Sequence, residues 1–311
     1  ELEEFLDKTD KKFKQSPEYF EKDLLNLLMR GNKLPSYAFP IDTCTLKIEE
    51  IDGSKMKVEE APQRGLSVGL SEYAPGRKLV VGKNHYIIGS VTAKTYDPKE
   101  KSRASRLFDQ RSIYHQCGSC FYTIESATDN GKCPTCDVEL QELNVIQPEE
   151  MYPRNGKKID EYDEEDAWTS STQAQLPDLT INPEWKSVKI GKSDNPYVKS
   201  AVLHSQELAI FNKGVISETG EPEFFEICEK CGKYAPEPDM KTEHFTDYFV
   251  GGRGDPTKVR CDGVFRKVSL GYKFSSDVTL IRIMLIDGLA LPFIDADRLV
   301  LRSAGLTLAE A

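Results

Sequence analysis

The residues best placed to do chemistry in this chain are its cysteines. Four of them fall as Cys117-Gly-Ser-Cys120, twelve further residues, and Cys133-Pro-Thr-Cys136. Two residues between ligands let one tight turn point both sulfurs inward, and Gly118 adds backbone freedom to the first such turn. Zn²⁺ in a structural site takes four ligands in a tetrahedron and accepts thiolate readily, so this spacing predicts a zinc ribbon. Two disulfides or four buried thiols are the alternative. A second set reads Cys228-Glu-Lys-Cys231-Gly232, with Cys261 well behind it. His244 lies between them, and Cys228, Cys231, His244 and Cys261 would complete a Cys3His site. The alternative is an exposed loop histidine with the fourth ligand elsewhere. Seven of the eight cysteines are then used. Cys44 remains as a small buried apolar residue. Both sets offer four protein ligands and leave no position open to water, which is the pattern of structural zinc.

Other catalytic signatures are missing from the sequence. There is no G-x-x-x-x-G-K-[ST], no G-x-S-x-G and no H-E-x-x-H. Asp163-Glu-Glu-Asp166 resembles a Walker B motif, but no apolar strand precedes it. Gly251-Gly-Arg-Gly254 lacks the Lys-Ser/Thr of a phosphate loop and reads as a plain turn. In Cys133-Pro-Thr-Cys136 the proline sits inside the knuckle, unlike the deaminase P-C-x-x-C.

The elements that must position these residues are mostly strands. Ser16-Pro17 opens a helix whose stripe is Phe20, Leu24, Leu25, Leu27 and Leu28, ending near Gly31. Pro35 and Pro40 then hold Leu34–Pro40 extended, with Tyr37 and Phe39 as packing anchors. Strands are predicted over 43–51, 79–81 and 85–90, the last two as a hairpin around Gly82-Lys83-Asn84. Further strands are predicted at 185–190, 200–211, 223–228, 264–270 and 277–286. Asp295 caps a final helix from about 296. Residues 147–184 carry Pro148, Pro153, Pro177 and Pro183 and the run Asp160-Glu-Tyr-Asp-Glu-Glu-Asp166, and read as an acidic linker or loop. The predicted fold class is α+β and strand-rich: a zinc ribbon inserted in a β-rich domain, a second zinc site and flanking helices. The divisions are a helical connector over 1–33, a β-rich region with the ribbon over 34–146, the linker over 147–184, and a zinc-binding domain over 185–311.

Of the 311 residues, 39% are hydrophobic and 30% charged, which allows one large domain or two modest ones. No window approaches the roughly 18 apolar residues of a membrane span. The N-terminus is no signal peptide, and thiols in C-x-x-C knuckles point to a cytoplasmic location and no membrane partner. The net charge of -10 argues against coating nucleic acid by overall charge, yet permits a local basic face. The densest basic stretch holds Lys99, Lys101, Arg103, Arg106 and Arg111. Phe121 and Tyr122 follow the first knuckle. The start without Met and the stop in a helical pattern suggest a fragment of a longer polypeptide.

The order of motifs resembles a known family. Leu34-Pro-Ser-Tyr-Ala-Phe-Pro40 comes first, then Ser71-Glu-Tyr-Ala-Pro-Gly76 and Tyr86-Ile-Ile-Gly-Ser90. The ribbon, Phe225-Glu-Ile-Cys-Glu-Lys-Cys-Gly232, a His, a Cys and Val268-Ser-Leu-Gly-Tyr-Lys-Phe-Ser-Ser-Asp-Val278 follow. Over roughly residues 15–311 this is similar to the cysteine-rich C-terminal region of DEAD/DEAH-box superfamily-two helicases, including the MrfA-type zinc-binding domain. The resemblance implies a role beside an ATP-driven DNA translocase, as in DNA-repair helicases and DISARM-type phage-defence helicases. It places ATP and Mg²⁺ in motor lobes absent from this chain. It implies DNA, reached through the parent helicase, those motor lobes, and a partner subunit as partners. By carry-over, Cys228, Cys231, His244 and Cys261 match the family's ligand positions. The acidic run departs from the family pattern.

Two functions are then expected. In one, two zinc ions hold a rigid platform that positions DNA, with Lys99, Lys101, Arg103, Arg106 and Arg111 on phosphates and Tyr122 or Phe121 stacking a base. In the other, the chain is a zinc-stabilised module that docks a partner protein and never touches nucleic acid, and the basic stretch is a solvated face.

Overall fold

The computed structural model describes residues 42–53, 55–97, 102–125, 131–134, 136–160, 166–177, 183–190, 193–236, 241, 244–250 and 257–283. The expected connector helix, the Leu34–Pro40 anchors, the final helix, Lys99, Lys101 and Gly251–Gly254 lie outside those residues.

The first strands are β1 (Thr43–Leu46), β2 (Ile48–Asp52), β3 (Lys55–Glu60), β4 (Gln63–Gly65), β5 (Lys78–Val81) and β6 (Asn84–Thr92). Then come β7 (Ser112–Cys117), β8 (Thr123–Ile124), β9 (Leu140–Ile146), β10 (Glu150–Pro153), β11 (Thr169–Ser171) and β12 (Lys186–Ile190). The last are β13 (Ser193–Ile216), β14 (Pro222–Glu223), β15 (Phe225–Cys228), β16 (His244–Phe245), β17 (Arg260–Cys261) and β18 (Phe265–Ile283). Two short helices, α1 (Leu66–Glu72) and α2 (Ser105–Asp109), interrupt them.

Five strands form one sheet in the order β4-β1-β10-β6-β5. Nine form a second, along β11-β13-β18-β9-β7-β8 with β12, β14 and β15 joined at the side, and β2-β3 and β16-β17 are separate two-stranded pairs. Most pairs are antiparallel, but β1 runs parallel to β10 and β18 parallel to β9. One apolar cluster draws on both sheets, with Leu46, Tyr86, Ile88, Ile146, Phe225 and Leu270 all buried in it. At roughly 25 cal/mol per Å² of apolar surface, this shared burial is what binds the sheets. The predicted hairpin is present: Gly82 and Lys83 both have positive φ, +55 and +69, as a twisted two-residue turn demands. Cys44 is buried beneath α1, where a Cβ on Gly69 would lie 2.3 Å from its sulfur. Burial pushes its thiol up to about 12.

Three expectations need correction. The strands expected at 264–270 and 277–286 are one strand over the described residues: β18 continues through Gly271, where Ile210's carbonyl and Phe211 pack against the position a side chain would take. The stretch 147–184 is more than a linker, since β10 lies at the centre of the five-stranded sheet and β11 joins the nine-stranded one. Glu150 disguised β10. It reads as a solvated acid, but it is buried, paired to Lys47 at 2.6 Å and bonded by the Tyr152 hydroxyl at 3.1 Å. The expected division between 34–146 and 185–311 also fails, because Ser269 of β18 pairs with Val145 of β9 within one sheet. Among the described residues, no helix is long and apolar enough to cross a membrane.

Candidate metal centres

Both predicted tetrads exist. The ligand atoms of Cys117, Cys120, Cys133 and Cys136 lie within 4.8 Å of one another, as do those of Cys228, Cys231, His244 and Cys261. None of the eight cysteines is joined in a disulfide.

Each C-x-x-C pair sits in the same turn. The Phe121 amide donates to the Cys117 carbonyl at 3.1 Å, and the Cys117 amide to Tyr122 at 2.8 Å. The Asp137 amide donates to Cys133 at 2.9 Å, and the Cys133 amide to Val138 at 2.8 Å. The Gly232 amide donates to Cys228 at 2.8 Å, and the Cys228 amide to Lys233 at 2.9 Å. The fourth residue after each leading cysteine has positive φ: Phe121 at +59, Asp137 at +58 and Gly232 at +80. Only Gly232 adopts that conformation without steric penalty.

In the first tetrad the sulfurs of Cys117 and Cys136 are 3.3 Å apart, and those of Cys120 and Cys133 3.4 Å. Thiols this close cannot all ionise without a cation. Burial raises the Cys117 thiol, but the amides of Cys120 and Ser119 and the Cys136 thiol outweigh it and bring it to about 7. Burial and its thiol neighbours hold Cys120 up at about 12. In the second tetrad the thiols of Cys228 and Cys231 draw Cys261 far down, while Cys228 and Cys261 hold Cys231 up. His244 is only 4% exposed, and neither of its ring nitrogens has a hydrogen-bond partner. A buried imidazole orphaned on both nitrogens is costly unless one of them binds a metal. The donor sets therefore fit an ion in both places, and the exposed-loop alternative for His244 is excluded.

The second tetrad is embedded. Val91 donates to the Gly232 carbonyl at 2.9 Å, and Tyr234 to Gly89 at 2.7 Å, which fastens the knuckle to β6. A Cβ on Gly232 would stand 1.9 Å from the Val91 carbonyl. Beneath it lies a polar hub that the sequence does not announce. Lys233 Nζ donates to Asp247 at 2.9 Å and to Asn155 at 3.1 Å, and Ser90 donates to Asp247 at 2.5 Å. Ser90, Lys233 and Asp247 are all buried. No local pattern marks these residues, since the partners come from distant parts of the chain.

Among the described residues, Arg103, Arg106 and Arg111 of the predicted basic stretch do not share one face. Arg103 bonds the Lys94 carbonyl, lies 3.8 Å from Glu150 and stacks over Tyr248. Arg106 bonds Thr95 and pairs with Glu149 at 3.6 Å. Of these three, only Arg111 reaches the cleft of about 800 Å³ beside the second tetrad, together with Lys230, Asp262, Arg266 and Lys267. Two of those cations are already matched, Lys230 by Asp262 at 2.6 Å and Arg266 by Glu229 at 2.9 Å. Tyr122 is half-buried, whereas Phe121 is 54% exposed.

Among known proteins, the chain is 30% identical to Druantia protein DruE of Escherichia coli (strain UMEA 4076-1), over 94% of its own length. It spans only 16% of the length of that protein. No family model matches the chain, and no solved structure matches it.

Proposed function

We propose that this chain is an accessory zinc-binding region of an ATP-dependent DNA helicase or translocase in anti-phage defence. One observation carries the metal part of that reading: two tetrads, one wholly buried, made entirely of protein ligands. Cys117, Cys120, Cys133 and Cys136 would hold one Zn²⁺, and Cys228, Cys231, His244 and Cys261 the other. The ion supplies a cross-link between distant chain segments, and its four sites are filled by protein. The defence role is supported by the likeness to Druantia protein DruE. The motor role rests on the family resemblance of the motif order.

Within this reading Arg111 and Lys267 at the cleft are the better candidates for binding phosphate, since Arg103 and Arg106 are engaged internally. The test is DNA affinity of the purified chain against salt. In Arg111→Glu and Lys267→Glu the salt slope is expected to shrink by about one for each phosphate-binding cation removed. The second reading, a module that docks a protein and leaves nucleic acid alone, is favoured by the net charge of -10 and the internal pairing of the cations. A salt slope near zero in the unmodified chain selects it. Elemental analysis giving no zinc would remove both.

A further inference from the structure

Trp168 is the most exposed large apolar side chain among the described residues, at 74%. Its backbone is nonetheless fixed. Its carbonyl accepts the Ile216 amide at 2.7 Å, the preceding Ala167 amide donates to Gly76 at 3.2 Å, and Thr169 pairs with Val215. Arg77 lies 5.9 Å from the indole centre, donates to the Ala167 carbonyl and pairs with Asp166 at 3.1 Å. Asp166 in turn accepts the Lys78 amide at 2.8 Å on the edge strand β5, where Val80 is 62% exposed. The turn after Ile216 displays Glu218, Glu221 and Glu223, all exposed, and is closed by the Ser217 amide on the Glu221 carbonyl at 2.9 Å.

We propose that Trp168, beside Asp166 and next to the Glu218–Glu223 turn, anchors a docking surface for a protein partner that is apolar at the centre of its own surface and basic around it. A large aromatic on an already ordered backbone binds with little ordering cost, which is the character of an interface anchor. The surrounding acids set the class of partner. A nucleic-acid backbone brought to this surface would set its phosphates against the three glutamates of the turn, while lysines and arginines of a protein would be attracted. Arg77 does not offset this, because its charge is matched by Asp166. The inference depends on neither the zinc sites nor a motor.

The test uses the full chain and a labelled short peptide of alternating lysine and leucine, with a glutamate–leucine peptide and an oligodeoxythymidine as rivals. Fluorescence anisotropy should show saturable binding of the basic peptide alone, weakening as salt rises. Trp168→Ala should lower that affinity by about tenfold or more, with an unchanged melting temperature. Glu218→Lys with Glu221→Lys should lower it again and flatten its salt dependence. Trp185→Phe, the change at the other tryptophan, should leave it intact. Absence of basic-peptide binding, equal affinity in Trp168→Ala, or a preference for the oligonucleotide overturns the proposal.

Discussion

At Cys117–Cys136 the tetrad closes the free end of β7, β8 and β9, at the rim of the nine-stranded sheet, and Cys136 remains exposed. At Cys228–Cys261 all four ligands are buried, and the knuckle reaches from β15 across to β6 of the other sheet. The turns themselves share one hydrogen-bond pattern. What separates the two sites is what stands behind them. A peripheral cross-link stabilises its own hairpin, whereas one at the junction of two sheets stabilises the whole. Identical local spacing thus serves two different mechanical tasks.

The sharpest way to break that contrast is to remove ligands one site at a time. Cys231→Ser is expected to depress the calorimetric transition of the entire chain, and Cys120→Ser to melt the ribbon while sparing most of the main transition. Structural zinc contributes about 10–16 kcal/mol of apparent binding free energy in finger peptides, which is a ceiling for either loss. Equal calorimetric traces would erase the distinction. Cys120→Ser should still be more harmful than Cys44→Ser, which only places a hydroxyl in an apolar pocket at about 1–3 kcal/mol.

The next effect tests the hub beneath the second site. Asp247→Ala strands the buried Lys233 ammonium and is expected to cost about 3–5 kcal/mol in denaturant unfolding. A loss below about 1 kcal/mol would mean that water reaches the hub and screens the pair as it would at the surface.

The smallest effects differ in sign between the knuckles. Gly232→Ala should destabilise by about 1–3 kcal/mol from backbone conformation alone, before its overlap with Val91 is counted. Phe121→Gly removes a left-handed phenylalanine from an exposed position and should stabilise by about 1 kcal/mol in the same unfolding measurement. If Phe121→Gly instead destabilises, its ring contributes packing that outweighs the strain.

How much of this was legible follows from distance along the chain. The knuckles were readable because each is complete within six residues, and chemistry plus spacing determines it. The Gly82-Lys83 turn was readable for the same reason. The ligand role of His244 could be named but not decided, since burial and orphaned nitrogens are tertiary facts. In the basic stretch the sequence shows charge but not direction: Arg103 and Arg106 turn inward to Glu150 and Glu149. Glu150 is the converse, a charged residue buried at the heart of a sheet. Trp168 gave no periodic signal at all.

The pairing of Ser90 with Asp247 spans 157 residues. A ribosome adding about 5–20 residues per second needs about 8–30 s to make that stretch. For most of that interval the Gly89–Val91 edge of β6 has been synthesised but the knuckle that covers it has not. The newborn chain must therefore pass through a stage in which an unpaired, strongly apolar strand edge is available to neighbours. Yield at high expression should thus be set by translation rate and chaperone supply as much as by the stability of the finished fold.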